Sequence, residues 1–173
     1  RHLGTFKKNI LLSTGMSSKK EIIFALKTLI NYGVAKKKVT ILQCNSEYPS
    51  PYRDINLQAM VSFKKEFNCD YGFSDHSLGI EVPIAAAALG AKVIEKHFTL
   101  NKKYEGPDHQ MSLLPKELEQ MISSIRNVEK ALGKKTKIVT KSEKKNIKVA
   151  RKSIVARVEI KAGEKFTTKN LTV

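Results

Sequence analysis

The sequence has no tryptophan, only two cysteines, and no apolar run long enough to cross a bilayer. Its longest apolar stretch, residues 82–89, is Ala-rich and far below the roughly 18 residues that a spanning helix needs. No membrane role is expected. Residues 1–9 are polar and no long apolar segment follows them, so no secretory leader is read there. Cys44 and Cys69 lack CxxC spacing and read as free thiols in a reducing cytoplasm. Acidic residues are also scarce. Sixteen Asp and Glu face 32 Lys and Arg, a formal net charge of +16 that invites a nucleic-acid partner. Aromatics make up only 7% and are not interleaved with the lysines, which come in scattered pairs such as Lys7-Lys8, Lys64-Lys65 and Lys102-Lys103. Solvated helix faces and loops fit that scatter better. No nucleic-acid partner is expected, and a basic nucleic-acid-binding module is kept as the alternative reading. The charge also suits attraction of small anionic substrates.

What is present is an alternation of strand and helix. Residues 9–13 are short and apolar, then Thr14-Gly15 breaks the run. Ser18 with Glu21 three places later predicts a helix start, Ile22, Leu26, Leu29 and Ile30 supply the apolar stripe, and Gly33 closes it. Strands are predicted over 39–44, 70–74 and 92–97, and helices over 55–67, 80–89 and 115–132, with Pro83 and Pro115 in first turns. Four βα units in series imply an α/β fold with a parallel sheet, half of an eight-fold (β/α)8 barrel or a small doubly wound sheet. Residues 134–150 are Lys-rich and read as a linker. Residues 151–173 then begin a strand-like element too short for a core of its own.

Polar residues follow every predicted strand: Ser13-Thr14, Asn45-Ser46, Asp75-His76 and His97-Phe98-Thr99. Side chains at the C-terminal ends of parallel strands converge on one mouth. His76 and His97 are 21 positions apart, one strand–helix–strand repeat, so their imidazoles could share a divalent metal with open positions for water and substrate. Asp75 or Glu95 could orient a ring nitrogen or act on a proton. A core histidine beside a surface one is the bland alternative, still open at this point. Ser13-Thr14-Gly15 offers hydroxyls and a backbone N–H near a helix start but is no P-loop. Tyr48-Pro49 could form a stacking wall. Gly106-Pro107-Asp108 makes a turn from which Asp108 could reach a sugar hydroxyl.

Together these segments resemble a family. Ile10-Leu11-Leu12-Ser13-Thr14-Gly15-Met16, Gln43-Cys44-Asn45-Ser46-Glu47-Tyr48-Pro49, Gly72-Phe73-Ser74-Asp75-His76, Ile94-Glu95-Lys96-His97-Phe98-Thr99 and Gly106-Pro107-Asp108 stand in the order seen in N-acetylneuraminate (sialic acid) synthases and their legionaminic and pseudaminic acid relatives. Arg151-Lys152-Ser153-Ile154-Val155-Ala156 and the following Ile160-Lys161-Ala162-Gly163-Glu164 look like the start of the antifreeze-like (SAF) domain of that family. The resemblance implies condensation of phosphoenolpyruvate with an N-acyl amino sugar such as N-acetylmannosamine. It implies His76 and His97 as ligands of a divalent metal, typically Mn2+, that polarises the sugar aldehyde. Ser13 and Ser74 match phosphoenolpyruvate contacts, and Tyr48, Glu95 and Asp108 match sugar or metal-shell positions. Thr14 and Ser46 count with the substrate-binding residues, and Asp75 and Glu95 with the catalytic ones. Residues 1–133 are then the second half of a TIM barrel. In the family four further βα units supply phosphate-binding lysines and acidic residues, and a homodimer forms through the SAF domain, so the chain is expected to hold about half of the catalytic set and to have little activity alone. Another phosphoenolpyruvate-dependent keto-sugar-acid synthase is the second alternative.

Overall fold

The computed structural model describes residues 2–173. It divides into two units, Arg1–Gly133 and Lys134–Val173.

A single helical turn, α1 (His2–Thr5), leads into the first unit. β1 (Ile10–Ser13), β2 (Val39–Cys44), β3 (Asp70–Asp75) and β4 (Ile94–Lys96) form one parallel sheet in the order β1-β2-β3-β4. Strands that neighbour one another in both sequence and space, each pair joined by a helical crossover, make a half-barrel. The crossovers are α2 (Lys19–Asn31), α3 (Leu57–Phe67) and α4 (Glu81–Ala88), and α5 (Pro115–Leu132) follows β4. β1 and β4 each pair on one side only among the described residues.

Local chemistry sets the helix ends. Ser18 accepts from the Glu21 backbone N–H, and Glu21 Oε2 accepts from the Ser18 N–H at 2.7 Å. Those two bonds satisfy donors that a helix start leaves orphaned. α3 starts two residues later than the apolar pattern suggests. Tyr52–Asp54 winds as a 3-10 turn, and Asn56 at φ 52° caps the helix through Ala59 N–H. Left-handed Asn is tolerated because its short amide bonds locally. Pro115 opens α5, and Glu117 accepts from the Leu114 N–H at 2.6 Å.

Alternation along the strands divides the core. Val39 and Ile41 face the helices, where they pack with Ile22, Leu26, Phe63 and Phe67. Phe73 does the same with Met60, Ile55 and Ala86. Burying such side chains fully is worth about 1.5–3 kcal/mol each. Gly72 lies on the opposite face. A Cβ there would sit 2.5 Å from the Val93 carbonyl oxygen and 2.6 Å from Leu42 Cδ2, so only glycine lets the chain entering β4 come this close.

In the second unit, α6 (Lys141–Lys144) starts at Thr140, whose side chain accepts from Glu143 N–H, and α7 (Ile147–Ala150) follows. The stretch read as a linker therefore carries two helical turns, the first set by a capping box that needs no apolar stripe. β5 (Val155–Ala156) pairs antiparallel with β6 (Leu171–Thr172). No helix among the described residues is long and apolar enough to cross a membrane.

Candidate metal centre at the strand ends

Strand register builds the site from below. Cys44 pairs with Ser74, and Ser74 with Glu95. Parity puts all three on the face away from the helices. Ser74 is buried and its hydroxyl donates to Glu95 Oε1 at 2.6 Å, while Glu95 itself is exposed. Burial pushes the Cys44 thiol above its ordinary value.

Above this row stand His76 and His97, with ring centroids 5.2 Å apart and planes at 72°. Tyr48, from the β2–α3 loop, stacks on His97 at 4.4 Å and meets His76 edge-on at 5.4 Å. Its hydroxyl lies 3.4 Å from Ser112 Oγ, and burial raises its phenol above the usual range.

The His76 ring is fixed by the backbone. Nδ1 sits 2.6 Å from the Asn45 carbonyl oxygen, which can only accept, so Nδ1 donates and, in the neutral ring, the lone pair is on Nε2. The Ser50 N–H in turn donates to the His76 carbonyl at 2.8 Å, lacing the same loop to the end of β3. His97 Nδ1 faces Asp108 Oδ2 at 3.6 Å, which is beyond hydrogen-bond range. A neutral imidazole whose far nitrogen is occupied by a carbonyl is the ordinary state of a metal-binding histidine. The donor chemistry thus fits a divalent transition metal. Among the described residues no cluster of three or more His, Cys, Asp or Glu is arranged as ligands. An ion here would draw two imidazoles from this chain and the rest of its shell from elsewhere.

The other expected residues divide. Ser13 is exposed on the same face as Leu42 and Gly72, its register partners in line. Ser46 is exposed, and a Cβ at Gly15 would collide with its Oγ, so the β1–α2 and β2–α3 loops touch. Asp108 is exposed beside His97. Thr14 is different. It is buried, and both its N–H and its hydroxyl donate to the Leu42 carbonyl, at 3.1 and 2.8 Å, which spends both donors on the sheet.

Asp75 needs correcting. It is the last residue of β3 and points to the helix side, opposite to Ser74. Its side chain is fully buried and paired with Lys96 at 2.6 Å. A carboxylate so enclosed has no path to a substrate in the mouth. Two further residues escaped the sequence reading. Lys96 is the buried cation of that pair, detectable only through strand parity. His109 Nδ1 lies 2.7 Å from Thr99 Oγ1, tethering the loop that carries Asp108. Its place beside the Gly-Pro-Asp turn was the available signal.

Residues 1–137 match the NeuB family. The chain is 48% identical over 172 residues to an N,N'-diacetyllegionaminic acid synthase of Campylobacter jejuni, covering 99% of this chain and 52% of that protein. It is 44% identical over 133 residues to the N-acetylneuraminate-9-phosphate synthase of Mus musculus, covering 76% and 37% respectively. Among solved structures, the N-acetylneuraminic acid synthetase of Leptospira borgpetersenii in complex with citrate superposes with a TM-score of 0.69 at 36% identity, over 80% of this chain and 47% of that one. The chain thus spans about half or less of the length of these curated relatives.

Proposed function

The chain belongs to the NeuB family of sialic, legionaminic and pseudaminic acid synthases, and from that premise we propose that it carries the metal-binding half of a synthase joining phosphoenolpyruvate to an N-acyl amino sugar. In that reaction C3 of phosphoenolpyruvate bonds to the aldehyde carbon of the open-chain sugar. Water adds at C2, inorganic phosphate leaves, and a 2-keto sugar acid results.

His76 and His97 are the residues that would hold the divalent cation, with manganese the expected ion. When bound, the ion supplies Lewis acidity toward the aldehyde oxygen. The chain's own residues supply the rest. Asn45, through its carbonyl, keeps the His76 Nε2 lone pair available. Tyr48 covers one face of His97 and excludes water from it. Glu95, steadied by Ser74, presents an exposed carboxylate for proton transfer at the sugar. Ser13, at the end of β1, and Ser74 offer hydroxyls to phosphoenolpyruvate, Ser46 offers one to the substrates from the β2–α3 loop, and Asp108 accepts from sugar hydroxyls beside His97. Residues 151–173 read as the start of an antifreeze-like domain, through which a homodimer would complete the site.

The observation that carries this reading is the 5.2 Å approach of two imidazoles from adjacent strands. Mn2+ titration of the chain, followed by loss of the free-ion electron paramagnetic resonance signal, tests the metal. Binding should fall at least about tenfold in His76→Ala and His97→Ala. Phosphate release should depend on both phosphoenolpyruvate and an N-acyl amino sugar when the chain is supplied with the part of the Campylobacter relative that it does not cover. Release indifferent to the sugar would refute the synthase assignment.

A further inference from the structure

We propose that the buried Asp75–Lys96 ion pair is a positioning device, holding His76 and His97 at their working separation from the helix side of the sheet. The inference rests on the two-histidine reading above and adds residues to it that never touch the substrate.

Lys96 Nζ reaches Asp75 Oδ2 at 2.6 Å and also donates to the Ser77 carbonyl. Asp75 Oδ1 accepts from the Ser77 N–H at 2.8 Å and from the Ser77 hydroxyl at 2.7 Å. The Asp75 and Lys96 side chains are 0% and 3% exposed, and Ser77 is fully buried, so water does not compete for these contacts. Asp75 and Ser77 flank His76 directly. Lys96, which touches both, immediately precedes His97. One ammonium therefore ties down the residues on either side of the first histidine and the residue before the second.

Register completes the argument. Asp75 and Lys96 are Cα partners across β3 and β4 and close that pairing, so His76 and His97 leave the sheet side by side. Two apolar side chains of similar volume could fill the same space without loss of stability, but they would not fix direction. A carboxylate and an ammonium joined through Ser77 admit one arrangement of the strand ends. Both Asp75 oxygens are engaged within this network, which leaves neither for proton transfer.

The test uses Asp75→Asn/Lys96→Met, nearly isosteric and without a buried charge. Two readouts are taken: Mn2+ affinity, and the nuclear Overhauser contact between the His76 and His97 ring protons in metal-free protein. The expected result is a melting temperature close to the parent's, a weakened ring-to-ring contact, and Mn2+ binding about ten- to hundredfold weaker. A folded variant with contact and affinity both unchanged overturns the proposal. Should the double variant melt far below the parent, Asp75→Leu/Lys96→Met, which fills the site with apolar side chains and leaves no buried charge, is judged by the same criteria. A parent that shows the ring contact but binds no Mn2+ would sink the metal reading. Loss of that contact in the variant would still support the clamp.

Discussion

At the scale of single residues, the burial of one charge pair has a large and measurable consequence. Asp75→Ala alone strands the Lys96 ammonium in a dry site, and removing one partner of such a pair costs about 3–5 kcal/mol. Urea denaturation should show that loss, whereas Asp108→Ala, at an exposed position, should leave the midpoint almost unmoved. Tyr48 gives a spectroscopic check. Its phenol is raised by burial, so ultraviolet difference absorbance should show it ionising above the ordinary value of 10.0. The sign follows from the raised value: its contribution to stability is complete below the unfolded value and is lost as pH climbs through the folded one. His76 and His97 were legible as a pair because hydrophobic runs and breaks locate strand ends well. The orientation of Asp75 was not. The apolar pattern ends the third strand at Ser74, and the structure continues it by one residue. One more residue in register keeps Asp75 within the pleat and turns it away from the mouth. The surroundings of Thr14 were likewise out of reach, since nothing in a sequence says that a hydroxyl donates to a carbonyl 28 positions away.

At the scale of elements, close approaches and caps decide. Gly72→Ala should destabilise the unit by about 1–3 kcal/mol, because the added methyl meets the Val93 carbonyl and Leu42 together. Thermal melts compared with Ser18→Ala, expected to cost about 1 kcal/mol through loss of the α2 cap, would rank the two. At α5, the Leu114 N–H and then Lys102 hold the Glu117 carboxyl below its ordinary 4.5. A depressed carboxyl supports the fold above its unfolded value and ceases to do so as pH falls through its folded one. Glu117→Gln should therefore lower the melting temperature at neutral pH, change little below the folded value, and so flatten the acid side of the melting profile. The β-α alternation itself was readable throughout the first unit. The start of α3 was not, because Asn56 caps it from a left-handed conformation that apolar periodicity cannot register.

At the scale of the whole chain, the two units should separate under protease. Residues 134–137 are exposed and Lys-rich, so trypsin should cut there first and leave a fragment that keeps its Mn2+ affinity. Mass spectrometry of a timed digest, with metal binding measured on the product, checks both statements. The half-barrel was visible in the order of its strands, since sequential parallel pairing is what short βα repeats impose. The two helical turns of 141–150 were hidden by the density of lysine around them.

The hydrogen bond that sets the His76 tautomer comes from the main chain of residue 45. No substitution there deletes the acceptor, because every amino acid brings the same carbonyl. What a substitution there would remove is the Asn45 amide, which accepts from the Glu47 N–H and donates to the Asp54 carbonyl, so the loop could be reshaped while the acceptor for the imidazole is kept.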